Sequence, residues 1–327
     1  MEPTYGSRLM PTAVDDIARA TPDLTDAFIP RGADIGDGFV TATFSDIANA
    51  TNRLAAWIES NIGTSSNFAA IAYMGLGDLR YVAVFLAAVE CGFKVLLPSP
   101  RNPAWMNSSL LEQTKCSHLL YGPEVQGLLG PLSRRGMVYN VWRDFEAARL
   151  DPILILHSSG STGQPRPIEM NHATFAVGDH DRKLPVVPGR TNRNWALCDF
   201  PVKETFFSPF PAFHLAGFSS MVALPIYYSN AALVLSPPNR PPSGHLVSQI
   251  MDHFTLKATF CPPIIVEQLV QEVGGLEKCQ RLKFLLYAGG PLSHAAGEAL
   301  SKGTDVCQFY GQTETGPVQA LVPNRED

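Results

Sequence analysis

The ten residues His157-Ser-Ser-Gly-Ser-Thr-Gly-Gln-Pro-Arg166 place two glycines, Gly160 and Gly163, among the hydroxyls of Ser158, Ser159, Ser161 and Thr162 and end on a cation. Glycine lets a backbone come close to a polyphosphate, and the backbone N–H groups and hydroxyls of such a loop donate to phosphate oxygens. Arg166 adds a fixed positive charge. The apolar run Ile153 to Leu156 reads as a buried strand, so the loop springs from a strand end. The Gly-x-x-x-x-Gly-Lys-Ser/Thr spacing of a Walker loop is missing. The bland alternative, a flexible Ser/Gly linker, fits poorly between that strand and the exit at Pro165 and Pro167.

Here the chain resembles the adenylate-forming superfamily of acyl-CoA synthetases, luciferases, peptide-synthetase adenylation domains and carboxylic acid reductases. Its phosphate loop reads Ser/Thr-Ser/Thr-Gly-Ser/Thr-Thr-Gly-x-Pro-Lys, and this sequence matches from Ser158 to Pro165 with Arg166 in the lysine position. That change keeps the charge but alters its geometry. Three further segments follow the family's order. Phe85 to Pro100 resembles an early helix-Gly-strand-Pro segment that carries no chemistry. Pro209-Phe-Pro-Ala-Phe-His-Leu-Ala-Gly217 resembles the acyl-pocket segment, which implies Phe213, His214 and Gly217 as substrate-binding residues. Outside that order, His214 would read as a core histidine with one hydrogen-bond partner. Tyr287-Ala-Gly-Gly-Pro-Leu292 resembles the adenine-binding turn and implies Ala288, Gly289 and Gly290.

Last, Gln308-Phe-Tyr-Gly-Gln-Thr-Glu-Thr-Gly316 resembles the Tyr-Gly-x-Thr-Glu segment. The resemblance implies that Tyr310 stacks on adenine beside Gly311, Thr313 bonds the α-phosphate, and Glu314 holds Mg²⁺. It makes Thr313, Glu314 and His214 the catalytic set, with ATP and Mg²⁺ as cofactors. A carboxylate would attack the α-phosphorus in line and expel pyrophosphate, with the protein supplying position and charge neutralisation.

The resemblance also implies a β-rich subdomain with a ribose-binding Asp and a C-terminal lid with a catalytic Lys, both expected beyond Gly316 and matched by no position here. The expected fold is therefore α/β, an adenylate-forming N-terminal core of two packed parallel-sheet subdomains. It forms a partial AMP-binding domain over 1–327, subdivided near 1–150 and 151–327. Phe93 to Pro103 and the start of the phosphate loop look most like fungal peptide-synthetase-like adenylating reductases of secondary metabolism. That sub-family implies an aryl or α-keto acid, and a carrier domain, CoA or reduction to take the acyl group. No Asp stands near His214 to pair an α-ammonium, which argues against an amino acid. The alternative is a truncated paralogue or fragment that binds ATP or AMP without turnover.

The elements that must position these residues follow a βα alternation. Phe44 to Ser60 reads as an amphipathic helix with Ser45 as N-cap. Phe68 to Tyr73, Phe93 to Leu97, His118 to Tyr121 and Ile153 to Leu156 read as strands, with Leu79 to Val89 and Trp105 to Thr114 as helices between. Ala173 to Val177 continues as helix, Ala231 to Leu235 as strand, Leu246 to His253 as helix, Ala258 to Cys261 as strand and Ile264 to Val273 as helix. Phe284 to Tyr287, Ala295 to Leu300 and Val306 to Tyr310 end the series as strand, helix, strand. Such units imply parallel sheets with right-handed crossovers. Gly122 to Asp151 and Asp179 to Arg193 read as loops, and Pro237 to Ser243 as a stiff surface connection.

Composition agrees with buried strands: 45% of residues are hydrophobic and 17% charged. A net charge of -5 with no aromatic-interleaved Lys/Arg run excludes the footprint of a nucleic-acid binder. Six dispersed cysteines, with no Cys-x-x-Cys, fit a reducing compartment, and Met1 to Arg19 is no signal peptide, so the expectation is cytoplasmic. The uncharged run Leu215 to Ser236 contains Pro225 and Asn230 and reads as a buried helix plus strand rather than a bilayer span. Gly75-Leu-Gly77 lacks the third glycine of a dinucleotide fingerprint, since Arg80 stands there, and no Gly-x-Ser-x-Gly elbow occurs. Asp179-His-Asp-Arg-Lys183 reads as a solvated loop rather than a metal site.

Overall fold

The computed structural model describes residues 4–122, 144–158, 164–185, 187–192, 195–238, 240–318 and 321–323. Its strands are β1 (Thr25–Pro30), β2 (Phe39–Thr43), β3 (Ala70–Met74), β4 (Lys94–Leu96), β5 (His118–Tyr121), β6 (Pro152–Ser158), β7 (Arg166–Asn171) and β8 (Arg190–Asn192). They continue with β9 (Glu204–Phe207), β10 (Ala231–Val234), β11 (Ala258–Cys261), β12 (Phe284–Tyr287), β13 (Asp305–Gln308), β14 (Gly311–Gln312), β15 (Gly316–Pro317) and β16 (Leu321–Pro323).

Two large sheets result. The five-stranded one runs β5-β3-β4-β6-β7, parallel except for β7. The seven-stranded one runs β13-β12-β11-β9-β10-β1-β2, parallel except for β2. This is the expected α/β core of two parallel-rich sheets, but the subdivision at 150/151 does not follow it. Strands β6 and β7 join the sheet built from the first part of the chain, and β1 and β2 join the one built from the second. The five-stranded sheet is in effect inserted between β2 and β9.

Alternating strand residues face opposite layers, as a period of two requires. Ile71, Val95 and Leu154 point into the same core as Phe206, Leu233 and Leu286, whereas Ala72, Leu96 and Ile155 face outward onto Leu110. Phe207, Val234 and Leu285 turn to a third layer with Leu246, Ile250 and Leu269. The helices Phe44–Asn61 and Arg80–Glu90 fill the central layer, and Leu54, Ile58, Phe85 and Leu86 are wholly buried there.

The first of these helices is capped by Thr43, not Ser45. The Thr43 hydroxyl accepts from the Asp46 N–H at 3.1 Å, and Asp46 accepts from the Thr43 N–H at 2.9 Å, a reciprocal capping box.

The cluster Asp179 to Lys183 is not the solvated loop its charges suggested. Helix His172–His180 runs into a 3₁₀ turn at Asp181–Lys183, and Asp179 and Asp181 are buried. Asp179 accepts from the Gly6 N–H at 2.7 Å and from Arg8 Nε at 3.0 Å. Arg182 lies between the rings of Tyr5 and Tyr228, 4.0 and 4.1 Å from their centroids. Burying a carboxylate is tolerated because a guanidinium fork and a backbone N–H replace its water. The run after Leu215 is one helical stretch to Tyr227 followed by β10, and no helix of the described residues is long and apolar enough to cross a membrane.

Candidate functional site

Parallel strands deliver the loops at their carboxyl ends to one edge, the usual place for a ligand in an α/β sheet. Both sheets do so here. A cavity of about 380 Å³ is lined by Arg101, beyond β4; by Phe210, His214 and Ser219, beyond β9; and by Phe260, Ala288, Phe309 and Thr313, from β11 and the loops after β12 and β13. That volume suits a small organic molecule.

One wall is aromatic. Phe260 lies 4.9 Å from Phe210 and 5.4 Å from Phe309, centroid to centroid, in tilted and edge-on arrangements. His214 sits at the N-cap of the short helix Leu215–Phe218, its own N–H donating to the Pro211 carbonyl at 2.9 Å. Gly217 makes that turn possible: a Cβ there would stand 1.9 Å from the Pro211 oxygen. The helix then loosens into a π stretch at Ser219–Ala223, where the Ser220 hydroxyl donates to the Ala216 carbonyl at 2.6 Å. Hydroxyl back-bonding of this kind bends helices, and the adjacent Ser219 is brought to the cavity wall.

The hairpin β14–β15 forms another wall. Gly311 is required because a Cβ would meet the Gly316 carbonyl oxygen at 2.5 Å, and Gly316 takes a φ of +70°. Thr313 reaches the cavity from its tip, while Glu314 beside it is exposed. The Tyr310 ring is 67% exposed and lies outside this cavity, as does Gly290. Gly289 adopts a φ of +92° with open space where a side chain would be, so its backbone is accessible.

The structure thus brings together His214, Ala288, Gly289, Gly311 and Thr313. Phe213 is buried and faces an adjoining proline-rich cavity, and Gly217 supports the turn from behind. Ser158 and Arg166 face each other as a pair across β6 and β7, with Arg166 exposed. Ser159, Gly160, Ser161, Thr162 and Gly163 lie outside the described residues.

Sequence reasoning missed the loop after β4. The Ser99 N–H donates to His157 Nε2 at 3.2 Å, and Asn102 Nδ2 stands 3.4 Å from the same nitrogen. Asn102 Nδ2 also donates to Asn107 Oδ1 at 3.0 Å, and Asn107 Nδ2 to the Ser99 carbonyl at 3.1 Å. The loop carrying Arg101 is therefore tied to the strand that feeds the phosphate loop. Burial, with the nearby His214, lowers the pKa of His157; burial, with the Arg101 charge, lowers that of His214. The only sequence signal was the run of polar residues directly after a strand, Ser99-Pro-Arg-Asn102.

Comparison with known proteins agrees with this fold. The family described as "AMP-binding enzyme" matches residues 15–327. A carboxylic acid reductase of Neurospora crassa is 30% identical over 96% of this chain and 32% of its own length. The isocyanide synthase-NRPS hybrid crmA of Aspergillus fumigatus is 27% identical over 99% of this chain and 22% of its own. The chain thus spans a third or less of these relatives. Among solved structures, the Klebsiella oxytoca NpsA N-terminal subdomain in complex with 3-hydroxybenzoyl-AMSN superposes with a TM-score of 0.74 at 17% identity, covering 97% of this chain and 76% of that one. The inhibitor-bound N-terminal domain of FACL13 from Mycobacterium tuberculosis gives 0.74 at 16%, covering 94% and 76%.

Proposed function

The chain belongs to the AMP-binding enzyme family, and from that premise we propose that it activates an aryl or α-keto acid as an acyl-adenylate, releasing pyrophosphate, within a larger reductase or synthetase of secondary metabolism. The observation that carries this reading is the single cavity shared by His214, Thr313, Ala288 and Gly289 at the carboxyl ends of both sheets. Its aromatic wall suits an aryl group. No Asp or Glu is among the described residues lining it, so an α-ammonium would find no carboxylate partner among them.

In this reading the acid lies against Phe210, Phe260 and Phe309, with its carboxylate toward His214 and Thr313. The Thr313 hydroxyl donates to the α-phosphate of ATP, and the Ala288–Gly289 backbone meets the adenine. His214, kept neutral by burial and the Arg101 charge, orients the carboxylate as a hydrogen-bond donor. Charge spread over the phosphoryl oxygens in the transition state is met by the phosphate loop and Arg166. The exposed Glu314 offers one hard oxygen, which fits Mg²⁺ because that ion is usually held by one or two carboxylates together with substrate phosphates. Bound there, Mg²⁺ would supply charge neutralisation of the phosphates. The acceptor of the acyl group would be a carrier-domain thiol or CoA, or the acyl group would be reduced. Six unbridged cysteines support work in a reducing cytoplasm.

The test is carboxylate-dependent exchange of labelled pyrophosphate into ATP across aryl, α-keto, fatty and amino acids. Exchange with aryl or α-keto acids that Thr162→Ala and Thr313→Ala lose is the expected result. ATP binding without exchange would point to a nucleotide-binding module, and no ATP binding would sink the assignment.

A further inference from the structure

We infer that Arg101 is the residue that binds the reacting carboxylate of the acid substrate. This rests on the reading that the cavity beside it takes the acid. An acid carboxylate must approach a triphosphate that is itself strongly anionic, so a fixed cation is needed at the point of approach. Among the described residues lining the cavity, Arg101 is the only one that is always charged. The one other titratable group there, His214, has its pKa lowered by burial and by Arg101 itself, so it stands as a neutral imidazole.

Among the described residues the guanidinium is also unpaired. No carboxylate pairs with it among the described residues, and it stands over the Phe213 ring, 5.9 Å from Cζ to the centroid. A ring against the guanidinium leaves the planar N–H fork open for a carboxylate, which it matches with two parallel hydrogen bonds.

Its backbone is fixed in advance. The Arg101 N–H donates to Ser99 Oγ at 3.1 Å, and the loop on either side is held by His157 and Asn107. A cation so held needs little reorganisation when the acid arrives. Its place relative to His157 is also set, and His157 leads directly into the phosphate loop. The loop after β4, which presents the acid, is thereby registered to the carboxyl end of β6.

Calorimetric titration of the full 327-residue chain, saturated with a non-hydrolysable ATP analogue, tests this with benzoate, phenylpyruvate and the dicarboxylate terephthalate against benzamide as the uncharged control. The expected result is binding of a monocarboxylate about tenfold or more tighter than benzamide, a preference that Arg101→Gln abolishes and Arg101→Lys partly keeps. Affinity for the ATP analogue should stay within about twofold in both variants, which also shows that they are folded.

An unchanged carboxylate preference in Arg101→Gln overturns the inference. So does a parallel loss of ATP-analogue affinity, which would assign the guanidinium to a phosphate, or a loss confined to terephthalate, which would assign it to the far end of the acid. If the unaltered chain binds the ATP analogue but none of the acids, this inference fails while the nucleotide site stands. If it binds no nucleotide, the proposed function fails first.

Discussion

The backbone N–H of Ser99 and the Nε2 of His157 meet at 3.2 Å across neighbouring strands, with Asn102 approaching the same nitrogen. That nitrogen must accept, so the proton of the neutral ring sits on Nδ1. Protonating the ring would turn an acceptor into a donor facing a donor. The pKa of His157 is lowered below its usual 6.5, so between that value and the folded-state value the unfolded chain binds the extra proton more readily. The stabilisation is whole above pH 6.5 and is lost as pH falls. Urea denaturation at several pH values should show this loss, and His157→Gln should flatten the slope; an equal slope in the variant would refute the assignment.

Asp179 predicts a larger effect. It is fully buried, with Arg8 and the Gly6 N–H as partners. Asp179→Ala strands the Arg8 guanidinium, and breaking such a pair costs about 3–5 kcal/mol. Denaturant midpoints for Asp179→Ala and Arg8→Ala should both fall by amounts of this size, and the double variant should lose less than their sum.

Gly217 links packing to activity. Since a Cβ would overlap the Pro211 carbonyl, Gly217→Ala must push the Pro211–His214 turn outward, at a cost of about 1–3 kcal/mol. The expected outcome is a stable but weakened fold whose affinity for the acid falls while that for ATP holds. Calorimetry with each ligand in turn separates the two.

Asp26 and Lys203 give a pH dependence of opposite sign. Burial raises Asp26 to about 7 despite Lys203 nearby, and the Lys203 ammonium donates to the carbonyls of Thr25 and Ser229. Here the native state binds the extra proton, so this contribution is full below the usual carboxylate pKa and declines as pH rises toward 7. Asp26→Asn should remove the decline. Thermal unfolding between pH 4 and pH 7.5, wild type against variant, measures it.

Much of the fold could be read from local pattern. Strands β3, β4 and β6 are apolar runs buried on both faces, which parallel central strands must be, and β5, β11 and β12 begin and end where their sequence suggests. Strands β1, β7 and β9 were not visible. Strand β1 carries Asp26 and ends in Pro30, and β7 is a polar edge strand, so neither shows a clean alternation. Helix Met10–Ala20 does have Met10, Ala13, Val14 and Ile17 on one face, but a proline near its start and a terminal position masked it. At the site, His214 and Thr313 were singled out by the order of the family-like segments rather than by residue type, and both line the cavity. Arg101 was not singled out, because its meaning depends on which groups fail to pair with it, and only the folded arrangement reveals that.

The order of the strands also bears on how the chain emerges from the ribosome. Strand β1 takes its parallel neighbour from residues near Leu233, about 200 positions downstream, which at ~5–20 residues per second is a wait of roughly 10–40 s. The whole β3–β7 sheet is synthesised within that interval. The β1–β2 hairpin must therefore spend the interval with a bare, largely apolar edge, and a nascent chain stalled before β10 would expose to chaperones or to aggregation the very edge that the finished protein hides.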